Sequence, residues 1–386
     1  MTEKLYYEDS HLFAFSTLVT GCEAGKKGWL ITLDRTAFFP EGGGQPADTG
    51  WIGPAQVTDV HEREGRILHY TDRPLTVGER FDCRIDAEQR LRRMQNHSGE
   101  HIFSGLTHSR HGLENVGFHM GSDCMTIDFD GELSWEQLTE LETEANRVVR
   151  ADLPIRTWFP EAAERKSLHY RSKLELTENV RLVEIPGVDL CACCAPHVSR
   201  TGEVGLIKLL TAERHRGGVR ITLVCGMDAL EEVRRRQESV AAISNLLSAK
   251  RDQVAPAVER LLEQQSAQKE RLALLGTELA RLRADRIPET EGNLCVFDSV
   301  LDEISLRELV NLLAAKCTGM AGAFSGSDET GYRYIIGSRH LDLRADSRRI
   351  NAAIGGKGGG SPEMIQGRAS GSEAQIRAFF EGGTEA

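Results

Sequence analysis

The sequence predicts a multidomain α+β chain: a small N-terminal β-barrel over 1–90, an α+β domain over 91–226, a helical hairpin over 227–287 and a further α/β domain over 288–386. Three observations carry that expectation. The first ninety residues alternate short apolar runs with turn residues every ~8–12 positions, the pattern of a small barrel or sandwich. Residues 228–285 are almost free of glycine and rich in Glu, Arg, Gln, Leu and Ala, the composition of long helices. After Ile287-Pro288 the composition turns again. At roughly 100–200 residues per domain, 386 residues accommodate two to four such units.

In chain order, Trp29-Leu30-Ile31-Thr32-Leu33, Trp51-Ile52-Gly53, Val57-Thr58-Asp59-Val60 and Ile67-Leu68-His69-Tyr70 read as strands. Between them, Phe39-Pro40-Glu41-Gly42-Gly43-Gly44-Gln45-Pro46 is too glycine-rich for a strand interior. A helix is predicted from Ala87, with Leu91, Met94, Ile102 and Leu106 as apolar positions. A second helix spans about 134–150, where Ser134 and Gln137 have capping-box spacing. Residues 180–185, 205–210 and 219–224 read as strands, which makes 91–226 an α+β domain. Leu230, Val233, Val240 and Leu247 fit one heptad register. Val258, Leu261, Leu272, Leu275, Leu279 and Leu282 fit another, broken at Gln265 and Gln268. Pro256 lies between the registers, and proline suits a helix's first turn. The reading is two helices in an antiparallel hairpin.

Composition narrows the function classes. Apolar residues at 40% and charged residues at 27% exclude collagen-like and fully disordered chains. The net charge is −11, so bulk charge does not attract nucleic acid and any RNA contact is left to local patches. The first fifteen residues carry Glu3, Lys4, Glu8, Asp9 and His11 in place of an apolar signal core, and no run approaches the ~18 residues of a membrane span. The expected location is cytoplasmic, with no membrane partner. Nine cysteines at irregular spacing argue against a disulfide framework. Cys191, Cys193 and Cys194 crowd together, which reads as metal-binding or reactive chemistry.

Two ligand pairs stand out. His97 and His101 are four apart on the predicted helix, so both imidazoles lie on one face, one turn from each other. Cys193 and His197 are also four apart, in a loop enforced by Pro196. Together they have the donor types of a tetrahedral Zn²⁺ site. Two other assignments fit the spacing. His97-Ser98-Gly99-Glu100-His101 matches the inverted zincin signature, with Glu100 as base and a downstream glutamate as third ligand. Alternatively, Cys191, Cys193 and Cys194 anchor a purely structural zinc.

These segments, taken in order, resemble the editing module of alanyl-tRNA synthetase and its free-standing relatives, the AlaX-type editing proteins. The segment from Phe39 to Pro46 resembles the family's glycine-rich loop. Asn96-His97-Ser98-Gly99-Glu100-His101-Ile102 resembles its His-x-x-x-His helix, and Val116-Gly117-Phe118-His119-Met120-Gly121 a following core strand. Cys193 to His197, followed by Val198-Ser199-Arg200-Thr201-Gly202-Glu203-Val204-Gly205, resembles its Cys-x-x-x-His element. Gly355-Gly356-Lys357-Gly358-Gly359-Gly360-Ser361-Pro362 resembles the DHH-associated domain at the synthetase's end, and the whole is most similar to the long, C-terminally extended editing proteins. Two departures bear on amino-acid specificity: Cys-Cys-Ala-Pro-His replaces Cys-Gly-Gly-Thr-His, and Glu100 replaces a small hydroxyl residue.

The resemblance implies a deacylase that hydrolyses the ester of a wrong amino acid, serine or glycine, on alanine tRNA. Zn²⁺ would be held by His97, His101, Cys193 and His197, and there would be no aminoacylation, since only about 90 residues precede the histidine pair. Glu100 is the candidate base, and Gln45 the candidate amide contact to the substrate's amino acid or ester. Gly42, Gly43 and Gly44 would let backbone N–H groups approach the substrate, and His119 would line the pocket. Asp128 is expected to satisfy backbone groups. Seven basic residues against three acidic ones lie between Arg333 and Arg368, around the expected glycine-rich loop. Arg344, Arg348, Arg349, Lys357, Gly358 and Gly359 are therefore the candidate RNA contacts of a DHH-associated C-terminal domain. Arg214-His215-Arg216 with Arg220 forms a second basic turn. The leucine seams point to a homodimer. The alternatives are an inverted-zincin metalloprotease and a non-catalytic, zinc-stabilised tRNA-binding protein.

Overall fold

The computed structural model describes residues 2–25, 28–172 and 180–382, so the outermost ends of the expected first and last domains, at 1 and 383–386, lie outside the described residues. The chain is mixed α+β and divides into two compact units, Met1–Ser239 and Val240–Ala386.

The first unit begins with the short strand β1 (Glu3–Lys4), followed by β2 (Ala14–Gly25), β3 (Gly28–Leu33), β4 (Arg35–Thr36), β5 (Gly50–Ile52), β6 (Ala55–Arg63), β7 (Arg66–Thr71) and β8 (Arg80–Ile85). Six of these close into a barrel in the order β2-β3-β7-β6-β5-β8, while β1 pairs in parallel with β4. Alternation sends Val19, Ile31, Leu33, Ile52, Val57, Val60 and Ile67 into its core. His69 is buried there too, with Thr36 Oγ1 2.9 Å from its Nε2 and the Ile31 carbonyl 3.1 Å from its Nδ1.

Helix α1 (Ala87–His111) starts at Asp86, whose carboxylate accepts from Gln89 N, and ends at the left-handed Gly112. Its fully buried Arg90 donates to both carboxylate oxygens of the equally buried Asp48, at 3.0 and 2.9 Å, and to the Ser10 carbonyl at 2.9 Å. Asp48 also accepts from Phe39 N at 2.6 Å, so this pair ties α1 to the turn region of the barrel.

Next come β9 (Asn115–Met120), β10 (Met125–Phe129), α2 (Trp135–Arg150), β11 (Arg156–Trp158), the one-turn α3 (Ala162–Arg165), β12 (Leu182–Ile185), β13 (Asp189–Ala192), β14 (Ile207–His215) and β15 (Gly218–Cys225). The Ser134–Gln137 capping box opens α2. Strands β14-β15-β10-β9 form one sheet and β11-β12-β13 a second. Met94, Ile102, Phe103 and Leu106 of α1 and Leu138, Leu141, Ala145 and Val149 of α2 pack on the first sheet. Asp128 departs from expectation: it accepts both oxygens' worth of hydrogen bonds from Arg220, at 2.7 Å each, across the β10–β15 pair. With Arg214 3.0 Å from Glu132, that contact partly neutralises the basic turn at 214–220.

Helix α4 (Gly226–Leu246) leads to α5 (Val254–Asp285), with Pro256 in the first turn of α5. In the second unit, β16 (Leu294–Phe297), α6 (Glu303–Ala314), β17 (Ala321–Ser327), β18 (Gly331–Gly337), α7 (Leu343–Ile354), β19 (Gly356–Gly360), β20 (Met364–Ala369) and α8 (Glu373–Glu381) follow. The sheet order is β16-β17-β18-β20-β19. Ala321, Ala323 and Ile335 face α6 and the end of α5, whereas Phe324, Tyr332, Tyr334, Ile336 and Ile365 face α7 and α8. The expected glycine-rich loop is therefore an edge strand. Glycine disfavours strands in general, but here the Tyr334 side chain reaches across β20, and its hydroxyl and the Gln366 carbonyl occupy the space a Cβ on Gly358 would need.

Candidate metal centre

Helix α1 and the loop after β13 bring the two ligand pairs together. The donor atoms of His97, His101, Cys193 and His197 all lie within 4.8 Å of one another; the three histidines are buried and Cys193 is partly so. Cys193 Sγ is 3.6 Å from His97 Nε2 and 3.4 Å from His197 Nε2. A tetrahedral zinc ion with Zn–S of ~2.3 Å and Zn–N of ~2.0–2.1 Å requires about 3.5 Å between sulfur and nitrogen. The residues therefore fit the ion. Its donor set is three imidazoles and one thiolate, not the two histidines and a glutamate of an inverted zincin.

Each imidazole is oriented from behind. His97 Nδ1 lies 2.9 Å from Gln45 Oε1, His101 Nδ1 2.9 Å from Asp189 Oδ2, and His197 Nδ1 3.0 Å from Ser98 Oγ. With those contacts on Nδ1, all three Nε2 atoms face the centre, the arrangement that metal-binding histidines need. Asp189 is gripped in turn by Arg171, whose Nε and Nη2 donate at 2.8 and 2.9 Å. The Arg181 guanidinium donates to the carbonyls of Cys193 and Ala195, at 3.1 and 2.9 Å, and fixes the ligand loop. Ala195 N donates to Cys193 Sγ at 3.5 Å.

The electrostatics follow from these contacts. Burial opposes ionisation of the Cys193 thiol, yet His97, His197 and a hydrogen bond with His101 hold it well below its usual range. Burial pulls His197 down to about 3, which keeps it neutral and its lone pair available. For His101 the burial penalty is outweighed by the Asp189 carboxylate, and its pKa is raised. Burial disfavours the Asp189 anion, but His101 and Arg171 lower its pKa. Cys191 behaves differently from Cys193: burial pushes its thiol up to about 11. His101, Asp189 and Cys191 form an overlapping second group of donors.

Beside the centre lies a cavity of about 360 Å³ lined by Gly43, Gly44, His97, Glu100, His101, Phe118, Arg171 and Cys193, among others. The glycine segment forms its roof. Gly42 and Gln45 exchange backbone hydrogen bonds at 3.1 and 3.0 Å, and Gly43 and Gly44 sit at φ of 61° and 81°, the left-handed region that glycine tolerates. Glu100 is buried in the wall. Its Oε1 accepts from Ser104 Oγ at 2.7 Å and from Asn115 Nδ2, and its Oε2 lies 3.7 Å from His101 Nε2.

Not every residue singled out from the sequence lies here. Gln45 is fully buried behind His97 and reaches the site through that ring. Gly42 adjoins Cys194. His119 is exposed on β9, opposite Thr126 of β10, while Phe118, one residue earlier, packs with its ring centroid 5.0 Å from that of His97, tilted by 41°, and lines the cavity. Arg344, Arg348 and Arg349 lie on α7, whereas Lys357, Gly358 and Gly359 lie on β19. Sequence reasoning missed Ser98, Asn115, Phe118, Arg171, Arg181 and Asp189. Only Ser98, inside the His-x-x-x-His turn, carried a local signal.

A buried three-histidine, one-cysteine centre under a glycine turn, on an α+β domain joined to a β-barrel, defines the structural class. A family profile described as "Threonyl and Alanyl tRNA synthetase second additional domain" matches residues 180–222, which contain Cys193 and His197, and one described as "tRNA synthetases class II (A)" matches residues 1–89. The chain is 30% identical over 95% of its length to an alanine–tRNA ligase of Halorubrum lacusprofundi, and 29% identical over 95% to that of Methanopyrus kandleri, covering 42% of each. It thus spans about two fifths of the length of these ligases. It is also 26% identical to the alanyl-tRNA editing protein AlaX-L of Pyrococcus horikoshii, over 97% of this chain and 96% of that one. The resemblance to the long AlaX-type editing proteins holds along nearly the whole chain.

Proposed function

We propose that this chain is a zinc-dependent aminoacyl-tRNA deacylase that removes serine or glycine wrongly attached to alanine tRNA, working in the cytoplasm and without aminoacylation. The observation that carries the reading is the four-donor centre opening onto a cavity whose wall holds a buried carboxylate. Similarity to an alanyl-tRNA editing protein over 97% of the chain supports it.

An aminoacyl ester is an activated bond, so the site's main tasks are to position water and to stabilise developing negative charge. Zinc held by all four of His97, His101, Cys193 and His197 would have a closed shell, so it would orient the substrate amine or terminal ribose by its charge, or act as a Lewis acid at the ester if one ligand gave way. Glu100 takes the proton of the attacking water, whose oxygen adds to the ester carbonyl, and returns it to the ribose oxygen as the acyl–oxygen bond breaks. Ser104 and Asn115, both bonded to its Oε1, hold the carboxylate in place. Gly43 admits the amino-acid end of the substrate against its backbone, while Gly44 packs directly on the Phe118 ring, which walls the pocket on that side. Gln45, Ser98 and Asp189 are positioning residues that act through the histidine rings. The terminal domain supplies RNA contacts. The exposed leucines along one face of α5, Leu261, Leu272, Leu275 and Leu282, mate with those of a second copy.

Hydrolysis of Ser-tRNA and Gly-tRNA bearing the alanine-tRNA sequence tests this, with Ala-tRNA as control and zinc content measured on the same samples. Loss of the wrong amino acid, sparing alanine and abolished together with zinc in Cys193→Ala, is expected. A folded, zinc-loaded protein that hydrolyses no aminoacyl ester would overturn the proposal.

A further inference from the structure

The strand register of the second unit aligns three cations. Ser325 on β17 pairs with Arg333 on β18, Arg333 with Arg368 on β20, and Arg368 with Lys357 on β19. Directly opposed residues of an antiparallel pair share a face, with Cβ atoms ~4.5–5.5 Å apart. Arg333, Arg368 and Lys357 therefore form a row across three adjacent strands, about 10 Å from end to end at the usual ~4.8 Å strand spacing. Ala323 and Ile335 share that face and pack under α6, so the row lies on the α6 side. Arg344, Arg348 and Arg349 belong to α7, which covers the opposite face through Leu343, Ile350 and Ile354.

Like charges set directly opposite one another destabilise a sheet. Among the described residues, the only ion pair of the row joins Arg333 to Glu303, at 3.9 Å, with both side chains more than half exposed. Such a pair contributes little in water. Arg368 and Lys357 have no ion-pair partner among the described residues, although the chain as a whole carries a net −11. The row borders a cavity of about 620 Å³, to which Ser325, Thr330 and Ser370 add hydroxyl groups.

We propose that Arg333, Arg368 and Lys357 bind two successive phosphates of an RNA backbone. A row spread over ~10 Å and three strands offers cations to more than one phosphate group. The arginine forks suit phosphate oxygens, and neighbouring hydroxyls are common phosphate contacts. The open edge of β19 lets a strand continue past the site. The inference deepens the tRNA-binding part of the function proposed above and rests on it.

Fluorescence anisotropy with unacylated alanine tRNA and the full zinc-loaded chain, across a salt series, tests it. Arg333→Ser/Arg368→Ser is compared with wild type and with Arg348→Ser/Arg349→Ser, and each fold is checked by circular dichroism. The row variant is expected to bind at least tenfold more weakly and to lose about 1.5 from the salt slope, since each phosphate contributes ~0.7–0.9. The KM for deacylation should rise with kcat unchanged. Wild-type affinity in the row variant, or loss confined to the α7 variant, would overturn the inference while leaving the tRNA reading intact. If wild type binds no tRNA, both fall. Inorganic pyrophosphate bound through Arg368 at micromolar concentration, with tRNA binding unaffected by the row, would assign the site to a free diphosphate and overturn the RNA reading.

Discussion

Three hydrogen-bond contacts at Nδ1, with Gln45 and Asp189 oxygens accepting, aim the imidazoles so that four donor side chains could hold one metal ion. Removing one such partner typically costs 10–100-fold in metal affinity. Gln45→Leu and Ser98→Ala are each expected to weaken zinc by that factor in a chelator competition while the protein stays folded. Unchanged affinity in both would mean that the rings need no support. Glu100 calls for a different outcome. Glu100→Gln keeps the size and the hydrogen-bonding partners, so zinc stoichiometry should hold while deacylation falls by about 10²–10⁴, the usual contribution of a positioned base. Activity within tenfold of wild type would assign Glu100 to structure alone. At this scale the ligands were legible, because both pairs are local in sequence and their spacing carries the geometry. Their partners were not. Gln45 and Asp189 meet His97 and His101 across 52 and 88 residues of chain, and no local pattern announces such a contact. The choice between Phe118 and His119 turned on strand parity, which a one-residue shift reverses.

Helix α1 carries half of the ligands, and its seating depends on the buried Arg90–Asp48 pair. Breaking such a pair leaves an unpaired buried charge and costs about 3–5 kcal/mol. Asp48→Ala should therefore lower the unfolding free energy from urea titration by an amount in that range, with α1 and the barrel loosening together. A loss under 1 kcal/mol would show that water or a neighbour replaces the carboxylate. The Ser134 cap is a smaller device, since Ser134→Ala should cost only about 1 kcal/mol. Elements with strong local signals were readable from the sequence: the capping box of α2, the long helices, and the alternating strands now found in the barrel. Strand β19 was not. Its five residues are four glycines and a lysine, which by propensity read as a loop, and only pairing with β20 makes them a strand.

For the molecule as a whole, acid sensitivity has an identifiable source inside the barrel. Burial lowers the pKa of His69 from 6.5 to about 4. Above pH 6.5 the ring is neutral whether folded or unfolded and adds no pH dependence. As pH falls from 6.5 towards 4, the unfolded chain takes up a proton that the folded chain refuses, so stability declines by up to about 3 kcal/mol and then levels off. Urea midpoints at pH 7 and pH 5 should differ less in His69→Gln than in wild type, and equal differences would rule His69 out. Association is the second property of the whole chain. The apolar face of α5 predicts a dimer by sedimentation velocity at micromolar concentration, and Leu272→Lys/Leu275→Lys should dissociate it. A monomeric wild type would remove that idea. The wide separation of the ligand pairs also governs when the centre can assemble as the chain is made. Residues 97 and 101 leave the ribosome well before residues 193 and 197. At roughly 5–20 residues per second, the histidines wait about 5–20 s for their partners. Throughout that interval a nascent chain holds only half a metal site, so both metal capture and any activity that depends on it begin only after most of the first unit has been synthesised.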